Sequence, residues 1–119
     1  MGFLRGIFKR EHPALRASTG GGAKWDDPSS DQLLALLSAV ARGDEEFLIV
    51  ERSSDRSGQT YIQTSRGEVD WVVEHRDGSA ERHFRTQAAD MQAVQSLLTS
   101  WASDLDDWRT AVAWERVTV

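Results

Sequence analysis

Residues 69–86 read VDWVVEHRDGSAERHFRT. Two runs rich in β-branched and aromatic residues flank Asp77-Gly78, the strongest turn signal in the chain. A two-residue type I′ hairpin requires positive φ at both central positions, and Asp-Gly tolerates it. Taken literally, that turn pairs Trp71 with Phe84 and Asp70 with Arg85, but it also sets Glu74 opposite Glu81, and directly opposed like charges are destabilising. A shift of one residue sets Glu74 opposite Arg82 instead. The stretch therefore predicts two antiparallel strands in one of two registers.

Two similar segments precede it. Strands at 46–52, 59–65, 69–76 and 80–86, joined by short polar connections, make a four-stranded antiparallel meander. A helix signal flanks it on each side. Ser29 and Gln32 form a capping box just after Pro28, Leu33, Leu36, Leu37 and Val40 repeat on one face, and Gly43 closes the turn in a left-handed conformation. In the second helix, Met91, Val94, Leu98, Trp101 and Leu105 step along one stripe, and Asp106 or Asp107 caps a short final turn carrying Trp108. The expected class is α+β, in the order α-β-β-β-β-α, with helices 29–43 and 89–103 packed on the sheet face that carries Trp71.

Before Trp25 the chain changes character. Residues 1–10 place Phe3, Leu4, Ile7 and Phe8 at helical spacing, with Arg5, Lys9 and Arg10 mostly elsewhere on the turn, so a short amphipathic helix is expected. It serves as a weak membrane-surface anchor or docking peptide, or it packs on the domain or frays. The stretch 17–24, with Gly20, Gly21 and Gly22, reads as a flexible linker and lacks the spacing of a phosphate-binding loop. The expected organisation is thus a basic arm over 1–24, outside the core, and one domain over 25–119.

A chain of 119 residues supports one hydrophobic core, burying roughly two-thirds of the surface its unfolded form exposes. With 39% apolar and 28% charged residues, it is composed as a globular protein and not as a disordered one. The absence of cysteine excludes disulfides, thiolate catalysis and cysteine-based zinc sites. No apolar run approaches the roughly 20 residues of a membrane span, and the start lacks the apolar stretch of a secretory signal, so a cytoplasmic location is expected. Charge is divided unevenly. Residues 1–24 carry five basic residues against Glu11, a net +4, whereas the remainder carries nine basic against eighteen acidic residues, a net −9. An acidic body repels phosphate backbones, which argues against nucleic acid and for a partner with a basic surface.

Residues able to do chemistry are sparse. His12, His75 and His83 are the candidates for neutral-pH proton transfer. His12 falls in the arm, and the other two read as solvated histidines on paired strands, poorly placed to share a metal. No serine lies in a nucleophile-elbow pattern. The carboxylate pairs Asp26-Asp27, Glu45-Glu46 and Asp106-Asp107, the last with Asp104, sit at element ends, where acidic residues serve as caps and turn formers. The expectation is a binding protein, not an enzyme, without metal or cofactor. Five tryptophans stand out. Trp71 and Trp101 belong to the expected core, while Trp108 and Trp114 are either a lid on that core or a partner contact.

From Trp25 onward the order of signals resembles a family of small bacterial proteins of mostly unassigned function. The residues that carry the likeness are 47–51 (FLIVE), 61–63 (YIQ), 73–78 (VEHRDG), 83–85 (HFR), Trp101, Trp108 and Trp114-Glu115. Alanine and arginine usage resembles that of high-GC bacteria such as actinobacteria. In size and α+β layout these proteins are similar to immunity proteins, which neutralise polymorphic toxins by binding them. The resemblance implies a basic toxin as partner. A nuclease toxin presents a basic cleft, so Asp104, Asp106, Asp107 and Glu115 would offer carboxylates in place of phosphates, with Trp108 and Trp114 as apolar anchors. The rival expectation is an adaptor tethered weakly to a membrane surface through residues 1–10.

Overall fold

A computed structural model describes residues 14–118 of the chain. The amphipathic segment 1–10 and His12 lie outside the described residues. The fold is α+β. Its strands are β1 (Leu15–Thr19), β2 (Lys24–Asp26), β3 (Phe47–Arg52), β4 (Thr60–Arg66), β5 (Trp71–Asp77), β6 (His83–Ala88) and β7 (Glu115–Arg116). Its helices are α1 (Ser30–Arg42), between β2 and β3, then α2 (Met91–Ala102) and α3 (Asp107–Ala111), between β6 and β7. All strand pairs are antiparallel in the spatial order β2-β1-β3-β4-β5-β6-β7.

The expected meander forms the middle of the sheet as β3 to β6, and the expected four strands are corrected to seven among the described residues. The extra strands come largely from the supposed linker. Leu15, Ala17 and Thr19 alternate inward against outward Arg16 and Ser18, a period-two pattern that pairs Ala17 with Val50 on one side and Trp25 on the other. Ala17 is fully buried. The three glycines form the β1–β2 connection, where Thr19 N–H donates to Ala23 O at 3.1 Å and Gly21 N–H to the Glu45 carboxylate at 2.9 Å. Residues 14–24 therefore belong to the domain, and the arm expected over 1–24 is corrected for them.

The hairpin register is also corrected. Glu74 faces Arg85, His75 faces Phe84 and Trp71 faces Ala88, which is neither expected pairing. Gly78 N–H donates to Gln59 O at 2.8 Å, so Asp77-Gly78 continues alongside the start of β4, and a 3-10 turn over Ala80–Arg82 completes the reversal. This longer loop removes the Glu74/Glu81 clash and places an arginine opposite Glu74.

Both long helices follow local chemistry. Ser29 Oγ accepts from Gln32 N–H at 3.1 Å while Gln32 Oε1 accepts from Ser29 N–H at 2.8 Å, and Gly43 ends α1 at φ +83°. Asp90 caps α2 by accepting from Ala93 N–H at 2.8 Å. Between β4 and β5, Gly67 N–H donates to Asp70 O at 2.7 Å, and a Cβ at Gly67 would stand 2.6 Å from that oxygen, so the turn admits only glycine. In the β3–β4 connection Asp55 accepts from Ser57 N–H and Oγ and from Thr60 Oγ1 at 3.0, 2.6 and 2.7 Å, and these bonds hold its carboxyl below the usual range.

The core lies between the helices and one sheet face. Leu33, Leu37 and Val40 of α1 and Val94, Leu97, Leu98 and Trp101 of α2 are buried with Leu48, Val50, Ile62, Trp71 and Val73 of the sheet. Each such side chain stabilises the fold by roughly 1.5–3 kcal/mol relative to leaving it exposed. The opposite sheet face carries no helix among the described residues. No described helix is long and apolar enough to cross a membrane.

Candidate functional site

The segment between α2 and β7 gathers most of the residues expected to bind a partner. Helix α2 ends in a Schellman arrangement: Asp104 N–H donates to Trp101 O at 3.1 Å and Leu105 N–H to Ser100 O at 3.0 Å. The left-handed position that glycine usually takes is held by Asp104, at φ +58°. Aspartate tolerates that conformation better than most residues but still pays a steric cost. The Asp104 and Asp106 side chains are 91% and 93% exposed. Between them Leu105 is 53% exposed, which corrects its expected place on the buried stripe of α2.

The corner has a firm base. Arg52 reaches from β3 to donate to Trp101 O at 2.6 Å, capping the last turn of α2, and its guanidinium lies 4.2 Å from the centre of the Trp101 ring. Its Nη2 also stands 3.5 Å from Asp104. Trp108 N–H donates to Ser100 Oγ at 3.2 Å, and Trp114 Nε1–H donates to Trp108 O at 2.9 Å. Trp108 is 5% exposed and Trp114 is half-buried, so both tryptophans close the core under the corner. Asp106 precedes α3 without a side-chain capping bond and lies 3.4 Å from Arg109, which covers the Trp108 ring at 4.4 Å. Asp107 is exposed beside it, whereas Glu115 lies on β7 opposite Arg85. The structure thus brings Asp104, Asp106 and Asp107 together over Trp108 and Trp114, with Glu115 apart.

Under this corner sits His75. The expectation of solvated histidines is corrected: His75 is 4% and His83 3% exposed, on opposite faces of the sheet. His75 stacks on Phe84 at 4.9 Å and meets the edges or faces of Trp108 and Trp114 at 4.7 and 4.6 Å. Its Nδ1 has no hydrogen-bond partner. Burial pushes the imidazole down to about 4; Asp77 pulls the other way, while Arg109, His83 and Arg82 add to the depression. A small cavity of about 230 Å³, lined by Arg52, His75, Asp77, Asp104, Asp106 and Trp108 among others, opens here.

His83, on the other face, is held at both nitrogens. Arg76 Nε donates to Nδ1 at 3.0 Å, which places the ring proton on Nε2, 2.8 Å from Glu74 Oε1. Gln63 donates to the second oxygen of Glu74 at 3.1 Å, and Arg76 donates to Gln59 at 2.6 Å. Both ring nitrogens of His83 are engaged, and this chain of contacts ties β4, β5 and β6 to one another.

Sequence reasoning missed Arg52 and Leu105 at the acidic corner. Arg52 ends a strand and gives no local sign of reaching a helix terminus, whereas the position of Leu105, directly after a left-handed aspartate, could have marked it as outside the helical stripe. Compared with protein-family models, curated proteins and solved structures, the chain matches none.

Proposed function

We propose that this chain is a non-enzymatic protein-binding domain whose acidic corner engages a basic protein, in the manner of an immunity protein that neutralises a toxin. The observation that carries this reading is where Asp104, Asp106 and Asp107 stand. Asp104 stands at the C-terminal end of α2, where the helix dipole disfavours negative charge by about 0.3–1 kcal/mol, and Asp106 and Asp107 follow it at the start of the short α3. Their ion pairs to Arg52 and Arg109 are solvent-exposed on the acidic side and return little. Exposed carboxylates gathered around an exposed leucine, beside a buried tryptophan base, fit a contact surface better than a stabilising one. Leu105 supplies the apolar contact, the aspartates supply the rim, and Trp108 and Trp114 hold both in place.

The test is capture of partners from the native host followed by titration of any stoichiometric basic protein recovered. Leu105→Ala should raise the dissociation rate and weaken binding by about 2 kcal/mol, and Asp106→Asn with Asp107→Asn should mainly slow association. These side chains lie outside the core, so the losses would not come from unfolding. Recovery of no such partner, or a complex indifferent to all three changes, removes the proposal.

A further inference from the structure

The cavity under the acidic corner has a volume of about 230 Å³, less than the roughly 300–1,000 Å³ of a small-molecule site, so it suits one side chain better than a whole ligand. His75 lines it at 4% exposure, and its Nδ1 has no hydrogen-bond partner. A buried polar atom without a partner is costly, and a group that donates to it recovers that cost. Burial keeps the ring neutral near pH 7, so with the proton on Nε2 the Nδ1 lone pair accepts.

The rest of the lining offers further acceptors. Asp104 and Asp106 each set one oxygen against an arginine, at 3.5 Å from Arg52 and 3.4 Å from Arg109. Both contacts are longer than an ordinary N–H···O bond, and a carboxylate has about four lone-pair sites, so acceptor capacity remains on each. Asp77, also in the lining, is paired with Arg82. The lining arginines are committed: Arg52 donates to Trp101 O, Arg76 donates to His83 and Gln59, and Arg109 covers Trp108. An incoming group therefore meets an imidazole nitrogen and carboxylates, which a cation with several N–H donors answers together. A guanidinium seeks a bidentate carboxylate or an aromatic face, and Arg52 and Arg109 already cover the Trp101 and Trp108 rings. A primary ammonium gathers its three donors on one compact centre. We infer that the cavity is a socket for a primary ammonium supplied by a lysine of the basic partner, which donates to His75 Nδ1 at the base while Asp104 and Asp106 hold its charge at the rim. The lysine as source rests on the proposed function, whereas the ammonium chemistry rests on the cavity alone.

The probe is n-butylammonium, a lysine side chain without its backbone, titrated into the full chain at neutral pH and constant ionic strength and read by nitrogen NMR of the histidine rings. The His75 Nδ1 signal should shift saturably, with a dissociation constant on the order of millimolar for so small a ligand, while the His83 signals stay in place. Asp104→Asn with Asp106→Asn, both outside the core, should weaken that binding about fivefold. His75→Phe keeps an aromatic ring against Trp108 and Trp114 and removes the acceptor; followed through the Trp108 indole signal, it should weaken binding about tenfold. Three results would overturn the inference: no saturable shift at His75, the same shift from tetramethylammonium, which has no N–H to donate, or binding unchanged in both variants. Saturation by n-butylammonium at micromolar concentration would overturn the lysine as source and assign the cavity to a free amine. The titration contains no partner, so its failure removes the socket and leaves the capture test of the proposed function standing, and a failed capture leaves the ammonium site standing.

Discussion

His75 is an ionisable ring placed where a phenylalanine would be expected, between Phe84, Trp108 and Trp114, with one nitrogen left without a partner. Its folded-state pKa of about 4 lies below the ordinary 6.5, so on acidification the unfolded chain takes up the proton first. The stability that depends on a neutral ring is whole above about pH 6.5 and is lost progressively toward pH 4, for a total of about 3 kcal/mol. Urea denaturation from pH 7 to pH 4 should show that loss in the wild type, and the His75→Leu profile should be flatter by the same amount. Asp104 offers a second single-residue test. Glycine at that left-handed position relieves both the steric cost and one misplaced charge, so Asp104→Gly should raise stability by about 1 kcal/mol in the same assay while weakening the proposed contact. The histidines' burial was not legible in the sequence, because it depends on which aromatic residues cross over them. For His75 these arrive from α3 and the segment after it, some thirty to forty residues further along.

Strand β1 turns a supposed linker into an inner strand. Ala17 sits between Trp25 and Val50 with no exposed surface, so Ala17→Asp buries a carboxylate without a partner and should cost on the order of 3 kcal/mol or more, measured as a lowered denaturation midpoint. The alternation of Leu15, Ala17 and Thr19 was present in the sequence, but it spans only five residues and runs directly into three glycines, whose composition pointed to a flexible connection. The helices were readable because their signals are local: the Ser29/Gln32 box, the Gly43 close and the leucine repeat all act within a turn or two. The hairpin register was not. It is set by Gly78 bonding to Gln59 across β4, a contact outside the two strands that the turn joins. At the acidic corner, the cluster of aspartates was legible, while the division of labour between Leu105 and the two tryptophans required knowing where α2 stops.

The whole chain carries a net charge of −5, and residues 14–118 alone carry eleven basic against eighteen acidic side chains, a net −7. Under the proposed function, such a body attracts a basic protein over distances comparable with the Debye length. The association rate should therefore fall by roughly tenfold or more between about 0.05 and 0.5 M salt, with a smaller change in dissociation, in stopped-flow mixing. A rate insensitive to salt would remove electrostatic steering from the account. The two margins of the sheet bear on how such a molecule behaves when concentrated. Strand β2 has three residues and β7 has two, and both are built largely from charged side chains: Lys24 and Asp26 at one margin, Glu115 and Arg116 at the other. Short, charged margins offer little template on which another copy could add a strand, so a wide sheet is guarded against stacking edge to edge into aggregates, and recognition is left to side chains instead of the backbone.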